Sequence, residues 1–218
     1  MIRDNILHIR QILPNGVHLL CVSKYHSTEE IYEAYKAGER HFGESRVQEL
    51  LLKKTALPDD IHWHFIGHLQ TNKVKYLIGK IELYHSCDRD DLAEEIARRS
   101  KNAGIVSNVL IQINIGDEES KGGYAYEDGK TVFERLSKTE GLCVKGFMAM
   151  LPDTDDEAIL RALTRKMRAL FEWAREQSSA VEYLSMGMSG DYALCIEEGS
   201  NVIRVGSTIF GARDYAQK

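Results

Sequence analysis

Lys24 closes an apolar run near the start of the chain, Val17–Lys24 (V-H-L-L-C-V-S-K). A second run near the end, Val202–Ser207 (V-I-R-V-G-S), carries Arg204 inside it, with Gly206 and Ser207 at its tip. A lysine amine condenses with an aldehyde, an arginine keeps its charge, and glycine beside hydroxyls lets backbone approach a phosphate. Together these residue types suit a ligand that carries both an aldehyde and a phosphate. Strand alternation puts Leu20, Val22 and Lys24 on one face, and Cys21 and Ser23 on the other. If the sheet closes into a barrel, the two runs become its first and last strands, and the amine and guanidinium open into one pocket. Desolvation there would disfavour the ammonium and free the amine for attack. A solvated lysine at a strand end is the plainer alternative.

Arg204 shares a face with Val202 and Gly206, and a buried arginine is costly without a partner. Glu44, at the end of another strand, is one candidate. The other is a heterocyclic nitrogen, which a fixed cation would keep unprotonated, so that the ring is a weaker electron sink and transamination is disfavoured. The segment Ser185-Met186-Gly187-Met188-Ser189-Gly190-Asp191 leads into a helical pattern with Ser189 as its N-cap, and first-turn N–H groups attract phosphate. Gly206-Ser207-Thr208-Ile209-Phe210-Gly211 follows the last strand, and barrels frequently build phosphate sites from their final two loops. Alone, each reads equally well as an ordinary turn.

The cluster His62-Trp63-His64-Phe65-Ile66-Gly67-His68 invites a metal reading, since His62 and His64 share a strand face. No acidic or cysteine ligand stands at a metal-motif spacing, so His64 is expected to line the pocket and His62 to lie near the opposite rim. Asp117–Ser120, followed by Lys121-Gly122-Gly123, reads as a charged, mobile surface loop.

The elements that must position these residues alternate along the whole chain. Strands are expected at Val17–Ser23, Arg40–Gly43, Ile61–Ile66, Leu83–Ser86, Asn108–Asn114, Val144–Met150, Tyr183–Met186 and Val202–Val205. Helices are expected at Thr28–Ala37, Ser45–Lys54, Thr71–Ile78, Asp90–Asn102, Tyr126–Thr139, Asp155–Ser178 and Asp191–Glu198, after a leading helix within Met1–Gly16. The longest carries Ile159, Leu163, Met167, Leu170, Phe171 and Ala174 as one stripe at helical spacing. Such alternation implies parallel strands with right-handed crossovers. Eight strands suffice for a barrel, and an open doubly wound sheet is the rival. Lys24, Glu44, Ser86, Asn114, Ser185–Gly187 and Arg204–Ser207 all fall at carboxyl ends, the ligand-binding edge of either fold.

The 218 residues, 43% hydrophobic and 28% charged, fit one domain spanning 1–218. A net charge of −5 without a basic block gives no support for nucleic acid. No apolar stretch approaches the roughly 20 residues needed to span a membrane. Cys21, Cys87, Cys143 and Cys195 are scattered without a C-x-x-C, as expected of free thiols in a cytoplasmic protein.

Val22-Ser23-Lys24, His41-Phe42-Gly43-Glu44, Trp63-His64-Phe65-Ile66-Gly67, Leu69-Gln70-Thr71-Asn72-Lys73, Leu184-Ser185-Met186-Gly187-Met188-Ser189 and Arg204-Val205-Gly206 stand in this order over nearly the full chain. In them the chain resembles the pyridoxal-phosphate homeostasis protein family. The resemblance implies a single (β/α)8 TIM-type barrel like the N-terminal domain of alanine racemase, that is, PLP fold type III without the C-terminal β-domain. It implies pyridoxal 5'-phosphate (PLP) held as an imine on Lys24, with Arg204 at the pyridine nitrogen. Ser185, Gly206 and Ser207 match the phosphate-binding positions, Met186 belongs to the same cofactor-binding set, and no catalytic or metal residue is implied. Ser45 departs from the usual asparagine, His68 and Leu151 from usual prolines, and Ser207 from a common threonine, keeping its hydroxyl.

Two functions compete: a PLP-dependent amino-acid racemase, and a carrier or regulator that binds, buffers or supplies PLP. A two-base racemase needs a second proton-transfer group, which the alanine racemase architecture takes from a further domain of a partner subunit. The chain runs only to Lys218, which favours the non-enzymatic role; with no coiled-coil pattern and without the racemase's second domain a monomer is expected, in the cytoplasm, with PLP-dependent apoenzymes as candidate recipients. Lys121 is the first alternative carrier of the cofactor.

Overall fold

The computed structural model describes residues 1–118 and 121–211. The short apolar runs form eight strands: β1 His18–Val22, β2 His41–Glu44, β3 His62–Phe65, β4 Leu83–Cys87, β5 Ser107–Ile113, β6 Leu142–Ala149, β7 Tyr183–Ser185 and β8 Val202–Val205. All pair in parallel in sequence order, and β8 returns to β1 with Leu20 opposite Arg204, so the barrel closes and the open-sheet alternative falls. The helices are α1 Ile2–Ile12, α2 Thr28–Lys36, α3 Val47–Ala56, α4 Asp90–Asn102, α5 Gly129–Leu136, α6 Glu157–Gln177, α7 Tyr192–Glu197 and α8 Ser207–Phe210.

Period-2 alternation sends Leu19, Cys21, Phe42, Trp63, Phe65, Val109, Ile111, Phe147, Leu184, Ile203 and Val205 outward into one continuous apolar core beneath the helices. Leu83, Leu110 and Met148 form a separate, small apolar cluster on the inner side of the wall. In β6 the alternation breaks: Val144 and Phe147 both join the outer core, and the β5–β6 register shifts between Val109 and Leu110. Gly146 absorbs the shift at φ 137°, where a Cβ would run into the Tyr183 carbonyl.

Some expected elements differ. Thr71–Tyr76 is a 3-10 segment, and the pattern from Tyr126 splits into a 3-10 turn, Tyr126–Asp128, followed by α5. In α6, Leu160 and Thr164 are buried ahead of Met167 while Ile159 is exposed, so the stripe begins one position later than its spacing suggests. Ser189 does not cap α7; Asp191 occupies that position, and its carboxylate accepts the Met188 N–H at 2.5 Å. The expected mobile loop is described at Asp117, Glu118, Lys121, Gly122 and Gly123; Glu119 and Ser120 lie outside the described residues, as does the tail from Ala212 to Lys218.

Candidate functional site at the carboxyl mouth of the barrel

Lys24 stands half-buried just past β1, two residues beyond inward-facing Val22. Tyr25 follows in the left-handed region at φ 68°, a costly conformation for a residue with a Cβ. It is held there by the Glu49 carboxylate, which accepts its N–H at 2.7 Å, and by the Arg46 guanidinium, 4.8 Å from its ring centre. Glu49 also binds Lys53 at 2.6 Å; Lys53 in turn reaches the Ser23 carbonyl and Glu44, both at 2.8 Å. Ser23 donates its hydroxyl to Glu44 at 2.6 Å. A buried polar network outside the barrel wall thus sets the backbone on both sides of Lys24. Within it, burial pushes the Glu44 carboxyl up to about 7, against the pull of Lys53.

Glu44 therefore does not partner Arg204. The Arg204 guanidinium lies inside the barrel, 5% exposed, and donates from Nη1 to the Ser185 carbonyl and the Ser185 hydroxyl, both at 2.7 Å, and from Nη2 to the Ala149 carbonyl at 3.0 Å. That satisfies three of its five N–H donors. The Nε–H and the second Nη2 hydrogen meet no acceptor among the described residues. No carboxylate among the described residues is in hydrogen-bond contact with it, and burial, against the weaker pull of Cys195 and Asp191, draws this guanidinium down to about 10, so it stays charged at neutral pH.

Gly206 brings the tip of β8 against the end of β1: a Cβ there would stand 3.2 Å from the Val22 carbonyl oxygen and 3.3 Å from its Cβ. Ser207 and Thr208 are exposed at the start of α8, on the same edge as Lys24. The other two sequence-derived positions sit elsewhere. Met186 buries its side chain in the outer core, and its N–H is taken by the Val202 carbonyl at 3.1 Å and the Ser200 hydroxyl at 3.2 Å. The Ser185 hydroxyl is fully buried between Arg204 and His85. Lys121 binds Glu118 at 3.0 Å and the Leu151 carbonyl at 2.9 Å.

Of the two strand histidines, His62 lies at the amino-terminal rim, opposite the Lys24 edge, as expected, whereas His64 departs from expectation. His64 faces the barrel interior but lines a cavity of about 160 Å³ at the amino-terminal mouth, together with His18, His41, Glu82, Lys145 and Tyr183. His62 is exposed and stacks on His41, with ring centres 4.7 Å apart. His85 went unnoticed in the sequence, although it follows Leu83 at the inward spacing of β4. Among the described residues no group of three or more His, Cys, Asp or Glu is placed to hold a metal ion. None of the helices among them is long and apolar enough to cross a membrane.

A family model described as "Alanine racemase, N-terminal domain" matches residues 1–214. A pyridoxal phosphate homeostasis protein of Aquifex aeolicus is 46% identical over 203 residues, covering 92% of this chain and 89% of that one. The structure of PipY from Synechococcus elongatus with PLP bound superposes with a TM-score of 0.87 at 34% identity, covering 97% of this chain and 100% of the other. An alanine racemase of Clostridium difficile shares the fold alone, with a TM-score of 0.82 at 16% identity, over 97% of this chain and 56% of the enzyme.

Proposed function

The chain belongs to the pyridoxal phosphate homeostasis protein family, within the barrels described by the alanine racemase N-terminal model, and we propose that it binds PLP reversibly and buffers or supplies it. The observation that carries this reading is Arg204: a buried cation that, among the described residues, has no carboxylate in ion-pair contact and two donors left over, at the end of the barrel where Lys24 stands. Those donors suit a neutral acceptor such as a pyridine nitrogen. A PLP-bound relative at 34% identity supports the same ligand.

When bound, PLP supplies an aldehyde that a primary amine can hold covalently and reversibly. In this chain Lys24 is the amine, and Arg204 keeps the ring nitrogen unprotonated. Gly206 lets the β8 tip approach closely, and the Ser207 hydroxyl and neighbouring N–H groups meet the phosphate. Ser185 serves from below, as the acceptor that orients Arg204. Met186 belongs to the wall. Homeostasis, rather than racemisation, is the role for which the Aquifex aeolicus relative is named, and PLP-dependent apoenzymes are the recipients in this proposal.

Titration of the apo-protein with PLP is expected to produce a visible absorption band, and borohydride to fix a pyridoxyl group on the peptide containing Lys24. Lys24→Ala should abolish both; an adduct on Lys121 would move the site. Added apoenzyme should regain activity as the band decays. Racemisation of an amino acid at ordinary enzyme rates, on the order of 1–1000 per second, would overturn the carrier role.

A further inference from the structure

Hydrogen-bonded side chains run through the barrel from its amino-terminal mouth to Arg204. His41 Nδ1 lies 3.0 Å from His64 Nε2, His64 Nδ1 lies 3.0 Å from His85 Nε2, and His85 Nδ1 lies 3.1 Å from the Ser185 hydroxyl oxygen. Arg204 donates to that oxygen at 2.7 Å. The links come from β2, β3, β4, β7 and β8, each from the inward set of its strand. His64 is 7% exposed, while His85 and Ser185 are fully buried. His41 is half-buried and lines the amino-terminal cavity.

Donor and acceptor chemistry gives the chain one direction. Arginine only donates, so the Ser185 oxygen must accept from Arg204. Its own hydrogen then has the His85 Nδ1 lone pair as acceptor. This places the His85 proton on Nε2, directed at His64 Nδ1; the His64 proton on Nε2, directed at His41 Nδ1; and the His41 proton on Nε2. The reverse polarity would make Ser185 accept from both sides and leave its hydroxyl hydrogen buried without an acceptor, which is costly. A second proton on His64 or His85 would set two N–H groups against each other. Consistent with that, burial holds His64 down at about 3 and His85 well below its ordinary value.

We propose that His41, His64 and His85 are positioning residues: a neutral, single-tautomer relay that fixes the Ser185 hydroxyl as acceptor for Arg204 and so sets PLP affinity from the far mouth of the barrel. The part concerning PLP rests on the reading given under Proposed function; the tautomer part does not need the cofactor. The relay also answers how a guanidinium is oriented without a carboxylate, since a carboxylate partner would neutralise the charge that the ring nitrogen is to meet.

Two measurements test it. In cofactor-free protein labelled with ¹⁵N-histidine, ring shifts at pH 7 should show His41, His64 and His85 all neutral and protonated on Nε2. A neutral Nδ1–H ring or a charged ring at His64 or His85 would overturn the relay whether or not PLP binds. In PLP titrations, His64→Leu should weaken binding by about tenfold, the worth of one buried hydrogen bond. His64→Gln, which can both accept and donate, should recover part of that loss. His41→Leu, half-buried at the opposite mouth from Lys24, should weaken binding less and shift the His64 nitrogens. Equal losses in the Leu and Gln variants, or unchanged affinity in His64→Leu and His41→Leu, would overturn it. A wild-type chain that fails to bind PLP but shows the expected tautomers would sink the functional reading and leave the relay standing.

Discussion

Lys53, on the outer side of the barrel wall, spends its ammonium on Glu44, Glu49 and the Ser23 carbonyl, whereas Arg204, on the inner side, donates to two carbonyls and a hydroxyl and, among the described residues, to no carboxylate. Both cations are equally buried, at 5% exposure. The first is matched in charge and in donor count, as a structural group must be when it leaves water. The second keeps its charge and, among the described residues, part of its donor capacity, which is what the proposed ligand would use. The difference teaches how to separate a cation that holds a fold together from one held ready by it.

The sharpest way to break that contrast is to remove each cation in turn. Lys53→Met strands Glu44 and Glu49 without a counter-ion, and should cost about 3–5 kcal/mol in urea unfolding of the cofactor-free protein. A loss below about 1 kcal/mol would mean that the outer network is not structural.

Acid should act next most strongly, through the inner region. Burial depresses His41, His64 (to about 3) and His85, so between about pH 3 and 6.5 the unfolded chain binds more protons than the native one. Stability therefore rises with pH across that window and is lost on acidification, each tenfold difference in proton affinity between the two states being worth about 1.4 kcal/mol per group. Glu44, raised to about 7, has the opposite sign: its contribution is present below pH 4.5 and is lost as pH climbs through 7. Three histidines outweigh one carboxyl, so the urea midpoint should fall from pH 7 to pH 4, and His64→Gln should flatten the slope. A midpoint that rises on acidification would contradict the neutral interior.

The smallest expected stability effect belongs to Arg204→Met. It removes a buried charge that has no ion-pair partner among the described residues and leaves two carbonyls and a hydroxyl behind, so stability without cofactor should change by about 1 kcal/mol or less. PLP binding should nonetheless collapse in the same variant, read as loss of the visible band at PLP concentrations that saturate the native chain. A variant that binds normally would show that the inner cation is no ligand group. Gly206→Ala sharpens the point: its Cβ must push the Val22 oxygen from 3.2 Å, so affinity should fall with little change in unfolding midpoint.

Much of this was legible along the chain because it is local. Apolar alternation marks strands, Thr28–Lys36 opens with a capping box that Ser27 and Glu30 complete, and residues past strand ends collect on the ligand-binding edge. Lys24 and Arg204 could be singled out by type and position alone. Where local pattern misled, a tertiary contact had overridden it: Asp191 took the cap expected of Ser189, and the bulge at Gly146 reset β6.

The amino-acid order by itself determined the eight-strand alternation, the placing of an amine and a guanidinium on the first and last strands, and the family. Closure decided the rest. Which carbonyl or hydroxyl meets Arg204, that Glu44 turns to Lys53, that the Ser185 hydroxyl lies under the guanidinium, and that three histidines from neighbouring strands line up are relations across the barrel. Alternation specifies the face a side chain takes, but only the register of strands distant in sequence specifies what stands opposite it.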